Sequence, residues 1–123
     1  MKQHIVLLIM VFLLFSCEEL INEEDISEVN VQLLAPTNNT VIRQGNVSFN
    51  WKELSGADEY KLQIATPNFI SAIQIVLDTT LSKNSFIKNL EVGNYEWRVR
   101  AENSAYETDF TTHALAVEEI SGP

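Results

Sequence analysis

From Val29 onward the chain is built of short runs in which every second residue is apolar, separated by Asn, Gly, Pro and Ser. A period of two marks strands with one buried face, whereas a helix would repeat every three or four residues. The pattern predicts seven strands. The first, within 29–36, ends at Pro36 and the turn residues Thr37, Asn38 and Asn39. Residues 47–54 alternate Val47, Phe49 and Trp51 with Ser48 and Asn50. After a turn at 55–58, residues 59–65 set Tyr60, Leu62 and Ile64 on one face and Lys61 and Gln63 on the other. Residues 70–79 are a less regular apolar run, predicted as an edge or bridging strand, and 85–90 contributes Phe86 and Leu90. Past Gly93, the strand 95–101 turns Tyr95, Trp97, Val99 and Ala101 inward and Glu96, Arg98 and Arg100 outward. A last strand covers about 109–117.

A different pattern occupies the N-terminus. Lys2 and His4 precede an unbroken apolar run, Ile5 to Phe15, and a polar stretch starts straight after Ser16 and Cys17. A bilayer-spanning helix needs about 20 apolar residues, so residues 1–16 read instead as a secretory signal. Cys17 is the only cysteine, which rules out an intramolecular disulfide and leaves the fold to stand on packing. Leu14-Phe15-Ser16-Cys17 resembles the lipobox of bacterial lipoproteins of the Bacteroidetes type, with bulky Phe15 where a smaller residue is usual. The resemblance implies a diacylglycerol thioether on Cys17, with acyl chains as the membrane partner. Two or three chains hold firmly where one holds marginally, at about 0.8 kcal/mol per buried methylene.

Charge changes the picture next. Lys2 is the one base before Cys17 and all 17 acids follow it, so the mature chain is more acidic still than the net −9 of the whole. Glu18, Glu19, Glu23, Glu24, Asp25 and Glu28 crowd together with no base among them. Residues 17–28 are therefore expected to be a lipidated, self-repelling, disordered tether, ahead of a domain at 29–119. The acidity excludes nucleic acid as a partner, since phosphate binding requires Lys and Arg. An acidic run after a lipidated cysteine also resembles the signal that sends Bacteroidetes lipoproteins to the outer face of the outer membrane. The expected location is accordingly the cell surface, the alternative being a spacer that faces the periplasm.

Seven short strands in one small domain fit an all-β, immunoglobulin-like sandwich. Trp51, the segment Gly56 to Ala65, and the run Leu90-x-x-Gly93-x-Tyr95-x-Trp97-Arg98-Val99-Arg100-Ala101-x-Asn103 resemble a fibronectin type III domain across about residues 31–118. The resemblance implies a core of Trp51, Tyr60, Leu62, Leu90, Trp97 and Val99. It also implies a tyrosine corner at Tyr95, in which a buried phenol bonds the backbone of the preceding loop.

Candidate chemistry is sparse. His113 is the one histidine of the mature chain and shares strand parity with Leu115 and Val117, so a structural place at the core margin is expected. No nucleophile, base and orienting group stand together, and no enzyme activity is expected. No cofactor or metal site is read: Glu23-Glu24-Asp25 lacks the glycine-punctuated loop of a calcium site. Arg98 and Arg100 offer cations, but Glu96 alternates with them and Glu59 and Lys61 come across the sheet, so charge pairing between strands is expected. Phe69 and Tyr106 are candidate sugar-stacking rings in loops. Asp78-Thr79-Thr80 resembles a Bacteroidetes O-glycosylation pattern, with Thr79 as acceptor in a loop. These features predict a membrane-anchored, non-enzymatic binding or assembly module for a protein or glycan partner. A carbohydrate-binding accessory of polysaccharide uptake is the alternative.

Overall fold

The computed structural model describes residues 23–120. The signal segment, Cys17 and the acids at 18 and 19 lie outside the described residues. Eight strands follow in order: β1 (Leu33–Ala35), β2 (Thr40–Arg43), β3 (Gly45–Trp51), β4 (Glu59–Thr66), β5 (Gln74–Leu81), β6 (Ser85–Leu90), β7 (Gly93–Glu102) and β8 (Thr111–Glu118). They form two sheets, of order β1-β3-β6 and β2-β8-β7-β4-β5. No described residue is helical, and the all-β sandwich expected from alternation is what the chain adopts.

Alternation also fixes the core. Val47, Phe49 and Trp51 of β3 and Leu90 of β6 meet Tyr60, Leu62 and Ile64 of β4, Tyr95, Trp97, Val99 and Ala101 of β7, and Leu115 and Val117 of β8 in one cluster. Phe49 meets Trp97 edge-on at 5.1 Å, and Trp51 meets Tyr60 likewise at 5.7 Å. Such pairs are worth about 0.5–1.5 kcal/mol beyond burial. The tyrosine corner is present: Tyr95 donates from its phenol to the Glu91 carbonyl at 2.8 Å. Burial, followed by the Glu91 charge, raises the phenol above its ordinary pKa of 10.0.

Three expectations need correction. β2 was not among the predicted strands; it is four residues long and pairs parallel with β8, Thr40 to Leu115 through Arg43 to Glu118. Asn38 and Asn39 steer it there. Asn38 Oδ1 accepts from the Ala114 N–H, while Asn39, at φ 61°, donates its own N–H to the Ala114 carbonyl. Asn tolerates this left-handed backbone better than most residues. Secondly, the first strand is shorter than 29–36, being only Leu33–Ala35, although Val31 ahead of it is buried.

The third concerns the acidic segment. Its described part is packed onto the sandwich: Ile26 is 1% exposed within the core cluster, so residues ahead of 29 belong to the packed domain. Asn103 Nδ2 donates to the carbonyls of Glu24 and Gly56, at 2.8 and 2.9 Å. Ser104 Oγ donates to Glu23 Oε1 at 2.6 Å. Gly56 suits this junction because its φ of +88° is a left-handed backbone that glycine adopts without strain. Buried Ile26 and the bonds from Asn103 and Ser104 fasten the segment to the sandwich while Glu23, Glu24, Asp25 and Glu28 stay exposed.

The irregular run at 70–79 resolves into a loop and β5, the edge strand of the larger sheet. A register shift between Ile64 and Ala65 of β4 sets Leu77 opposite Ile64 and Ile75 opposite Ala65. Val76 and Leu77 both pack against the core, so β5 loses strict alternation. That bulge is why its pattern looked disordered in the sequence.

Candidate functional site

The outer face of the five-stranded sheet carries the polar side chains that alternate with the core. β7 supplies Glu96, Arg98, Arg100 and Glu102, and β4 supplies Lys61 and Gln63 alongside. The register puts Lys61 opposite Arg100 and Glu59 opposite Glu102, so the pairs directly across the strands are of like charge. The expected pairing of Arg98 and Arg100 with Glu59 does not form. Each cation turns elsewhere: Lys61 to Asp78 on β5 at 3.0 Å, and Arg100 to Glu102 at 3.3 Å and Glu107 at 3.6 Å. The Lys61 contact holds the Asp78 carboxyl below its ordinary pKa of 3.8.

Arg98 is treated differently. Its guanidinium carbon lies 4.0 Å from the centre of the Phe69 ring and 4.3 Å from that of Phe110, and its Nε donates to Gln63 Oε1 at 2.8 Å. Phe69 arrives from the Glu96 side, since its N–H donates to Glu96 Oε1 at 2.9 Å. Phe110, just before β8, also lies 4.9 Å from the Arg100 guanidinium and so comes from the other side. The cation is held between two rings. Sequence reasoning picked Phe69 but missed Phe110, because nothing in the chain signals that two phenylalanines so far apart converge on one arginine.

Phe69 and Tyr106 are not brought together. The Phe69 backbone is bonded at Glu96, whereas Tyr106 belongs to the β7–β8 loop, where its N–H donates to Asn103 Oδ1 and its carbonyl accepts from the Asn103 N–H. Glu96 to Asn103 is roughly 20 Å along a strand. One face of Phe69 is also occupied by Arg98. A shared sugar platform is therefore not what these two rings form.

Thr79 lies in the middle of β5, not in a loop, opposite buried Leu62 and half-buried itself. His113 is half-buried against Trp97, ring centres 5.9 Å apart, with Nδ1 3.3 Å from the Pro36 carbonyl oxygen. That is the structural place its strand parity indicated. Among the described residues no group of three or more His, Cys, Asp or Glu side chains could hold a metal ion. No described helix is long and apolar enough to cross a membrane.

Two further surfaces flank the clamp. A groove of about 360 Å³ has Ala114, Leu115 and Ala116 in its lining, with Val41 of β2 and Pro67 and Asn68 of the β4–β5 loop beside them. At the tip of that loop Ile70 and Ile73 are 97% and 87% exposed, and Ile75 at the start of β5 is 52% exposed.

No protein-family model and no curated protein sequence matches the chain. Solved structures do resemble it. The fibronectin(III)-like modules of Clostridium thermocellum CbhA align with TM-score 0.55 and 13% identity over 74% of this chain and 99% of theirs. The fibronectin type III domain of human collagen alpha-1(XX) aligns with TM-score 0.55 and 17% identity, over 76% of this chain and 84% of its own. One from the human KIAA0970 protein aligns with TM-score 0.55 and 14% identity over the same shares. The chain thus carries a fibronectin type III-like β-sandwich. At these identities the likeness speaks for the fold alone.

Proposed function

We propose that the protein is a lipid-anchored module of the bacterial outer membrane, exposed at the cell surface, that binds or assembles with another macromolecule and performs no chemistry. The lipobox-like residues around Cys17 support the anchor. The stretch from Cys17 to Glu23 spans at most about 20 Å, and the chain from Glu23 to Ile26 is fastened to the pole formed by Gly56, Asn103 and Ser104. A lipid on Cys17 would hold that pole near the membrane.

The observation that carries the binding reading is the apolar tip at the other pole. β4 runs about 25 Å from the Gly56 end to the loop with Ile70 and Ile73, which stand almost free of the domain. Isolated exposed apolar residues are ordinary, but a cluster on one loop beside an open sheet edge fits a contact surface.

The anchor is tested by metabolic labelling with a fatty acid. Label on the parent and none on Cys17→Ala is expected; an unlabelled parent removes the anchor. Protease added to intact cells is expected to degrade the domain, and survival there would place it facing the periplasm. The contact surface is tested by cross-linking on cells: a defined adduct lost in Ile70→Lys/Ile73→Lys is expected, and an adduct unchanged by both substitutions refutes it.

A further inference from the structure

We propose that Arg98 is the centre of a carboxylate-binding site on the outer face of the larger sheet. In a chain with 17 acids and 8 bases, a half-buried cation would be expected to have a carboxylate of its own. Lys61 and Arg100 on the same face have one. Arg98 has none within ion-pair distance among the described residues. Glu96, the acid nearest along β7, instead accepts the Phe69 N–H, and Glu102 and Glu107 are turned to Arg100. The acids around Arg98 are thus already engaged.

What remains open on Arg98 is its edge. The two phenyl rings cover the guanidinium, and Nε is used by Gln63. Neither Nη donates to a described acceptor, and neither is sealed from solvent, since among the described residues the buried unpartnered side-chain nitrogens are those of Trp51 and Trp97. A guanidinium packed against two rings and bonded at Nε has less rotational freedom to lose when a ligand arrives. Its free planar edge matches a carboxylate, which it can bind through two parallel N–H···O bonds. Thr112 of β8 stands in register with Arg98 and is exposed, so its hydroxyl is the next group a ligand would meet. The strongly negative chain disfavours polyanions. The chemistry that fits is a single carboxylate on an otherwise neutral molecule, carried by a sugar acid or by a peptide C-terminus.

The chain has three arginines, Arg43, Arg98 and Arg100, and they supply internal controls for one experiment. The Nε–Hε resonances of the ¹⁵N-labelled full chain in non-ionic detergent are followed at constant ionic strength. The probes are acetate, glucuronate and N-acetyl-alanyl-alanine, with glucose and chloride as blanks. The expected result is a saturable shift at Arg98, with an apparent Kd at least tenfold below that of exposed Arg43 and weakened severalfold in Phe110→Leu; the backbone amide of Thr112, in register with Arg98, is expected to report the same curve and to lose it in Arg98→Lys. A lower Kd for glucuronate than for acetate identifies a sugar acid as the source, and a lower Kd for the dipeptide identifies a peptide terminus. An Arg98 response no stronger than that of Arg43, or one that the blanks reproduce, overturns the proposal. So does a binding curve at the Thr112 amide that Arg98→Lys leaves unchanged.

Discussion

The side-chain amide of Asn103 donates to the backbone carbonyl of Glu24 across 2.8 Å, joining the N-terminal segment to the far end of β7. The same side chain donates to Gly56 and accepts the N–H groups of Ala105 and Tyr106, at 2.9, 3.0 and 2.8 Å. Three segments distant in sequence thus share one residue. Their junction makes the N-terminal segment part of the sandwich.

It follows that Asn103→Ala leaves backbone groups of all three segments to find water, or nothing. A loss of about 1–3 kcal/mol is expected, read as a lower urea midpoint at unchanged slope. Asn103→Asp should be damaging too, because it keeps the acceptor but replaces the donor that holds Glu24 and Gly56.

The N-terminal boundary can be tested directly. A chain starting at Glu23 should be more stable than one starting at Val29, since the shorter one uncovers the site of Ile26. Ile26→Ala alone should cost about 2–4 kcal/mol by the usual range for buried large-to-small changes. Equal thermal midpoints for the two truncations would show that the segment contributes nothing.

The tyrosine corner makes a prediction in pH. Because the Tyr95 phenol titrates above its ordinary 10.0 in the folded state, its contribution is fully present below that value. It is lost as pH rises toward the folded pKa, where the unfolded chain ionises first. Tyr95→Phe should lower stability by about 1 kcal/mol at neutral pH and should remove this part of the alkaline decline. Chemical denaturation of both proteins from pH 8 to 11 checks it.

Among the described residues Thr108 is the one buried polar or charged residue, at 3% exposure. Its Oγ1 accepts the Ala101 N–H at 3.0 Å and donates to the Asp109 carbonyl at 2.8 Å. Thr108→Val keeps the shape and removes both bonds, so a loss of about 1–3 kcal/mol is expected. By contrast Lys61→Met, which breaks the largely exposed contact with Asp78, should change stability by less than about 1 kcal/mol. Thermal melts rank the two substitutions, and a reversed order would refute the assignment.

The sandwich was legible because burial on one face imposes a period of two, and that period needs no knowledge of partners. Val47, Phe49 and Trp51, or Tyr95, Trp97 and Val99, declare their face locally. β2 was not legible, since four residues carry too little pattern and the strand exists only because Asn38 and Asn39 dock it on Ala114. Thr79 was misplaced into a loop because the register shift at Ile64 and Ala65 blurs the alternation of β5.

By itself, then, the sequence determined the strands and the faces they bury, which follow from residue type and spacing along one strand, while the two-layer sandwich and the tyrosine corner were what its resemblance to a fibronectin type III domain implied. Tertiary structure alone decided that Ile26 enters the core, that Lys61 falls opposite Arg100, and that Phe69 and Phe110 close on Arg98. Those relationships depend on strand register and loop path, where a shift of one residue turns a side chain to the opposite face, and no local pattern records which register packing will choose.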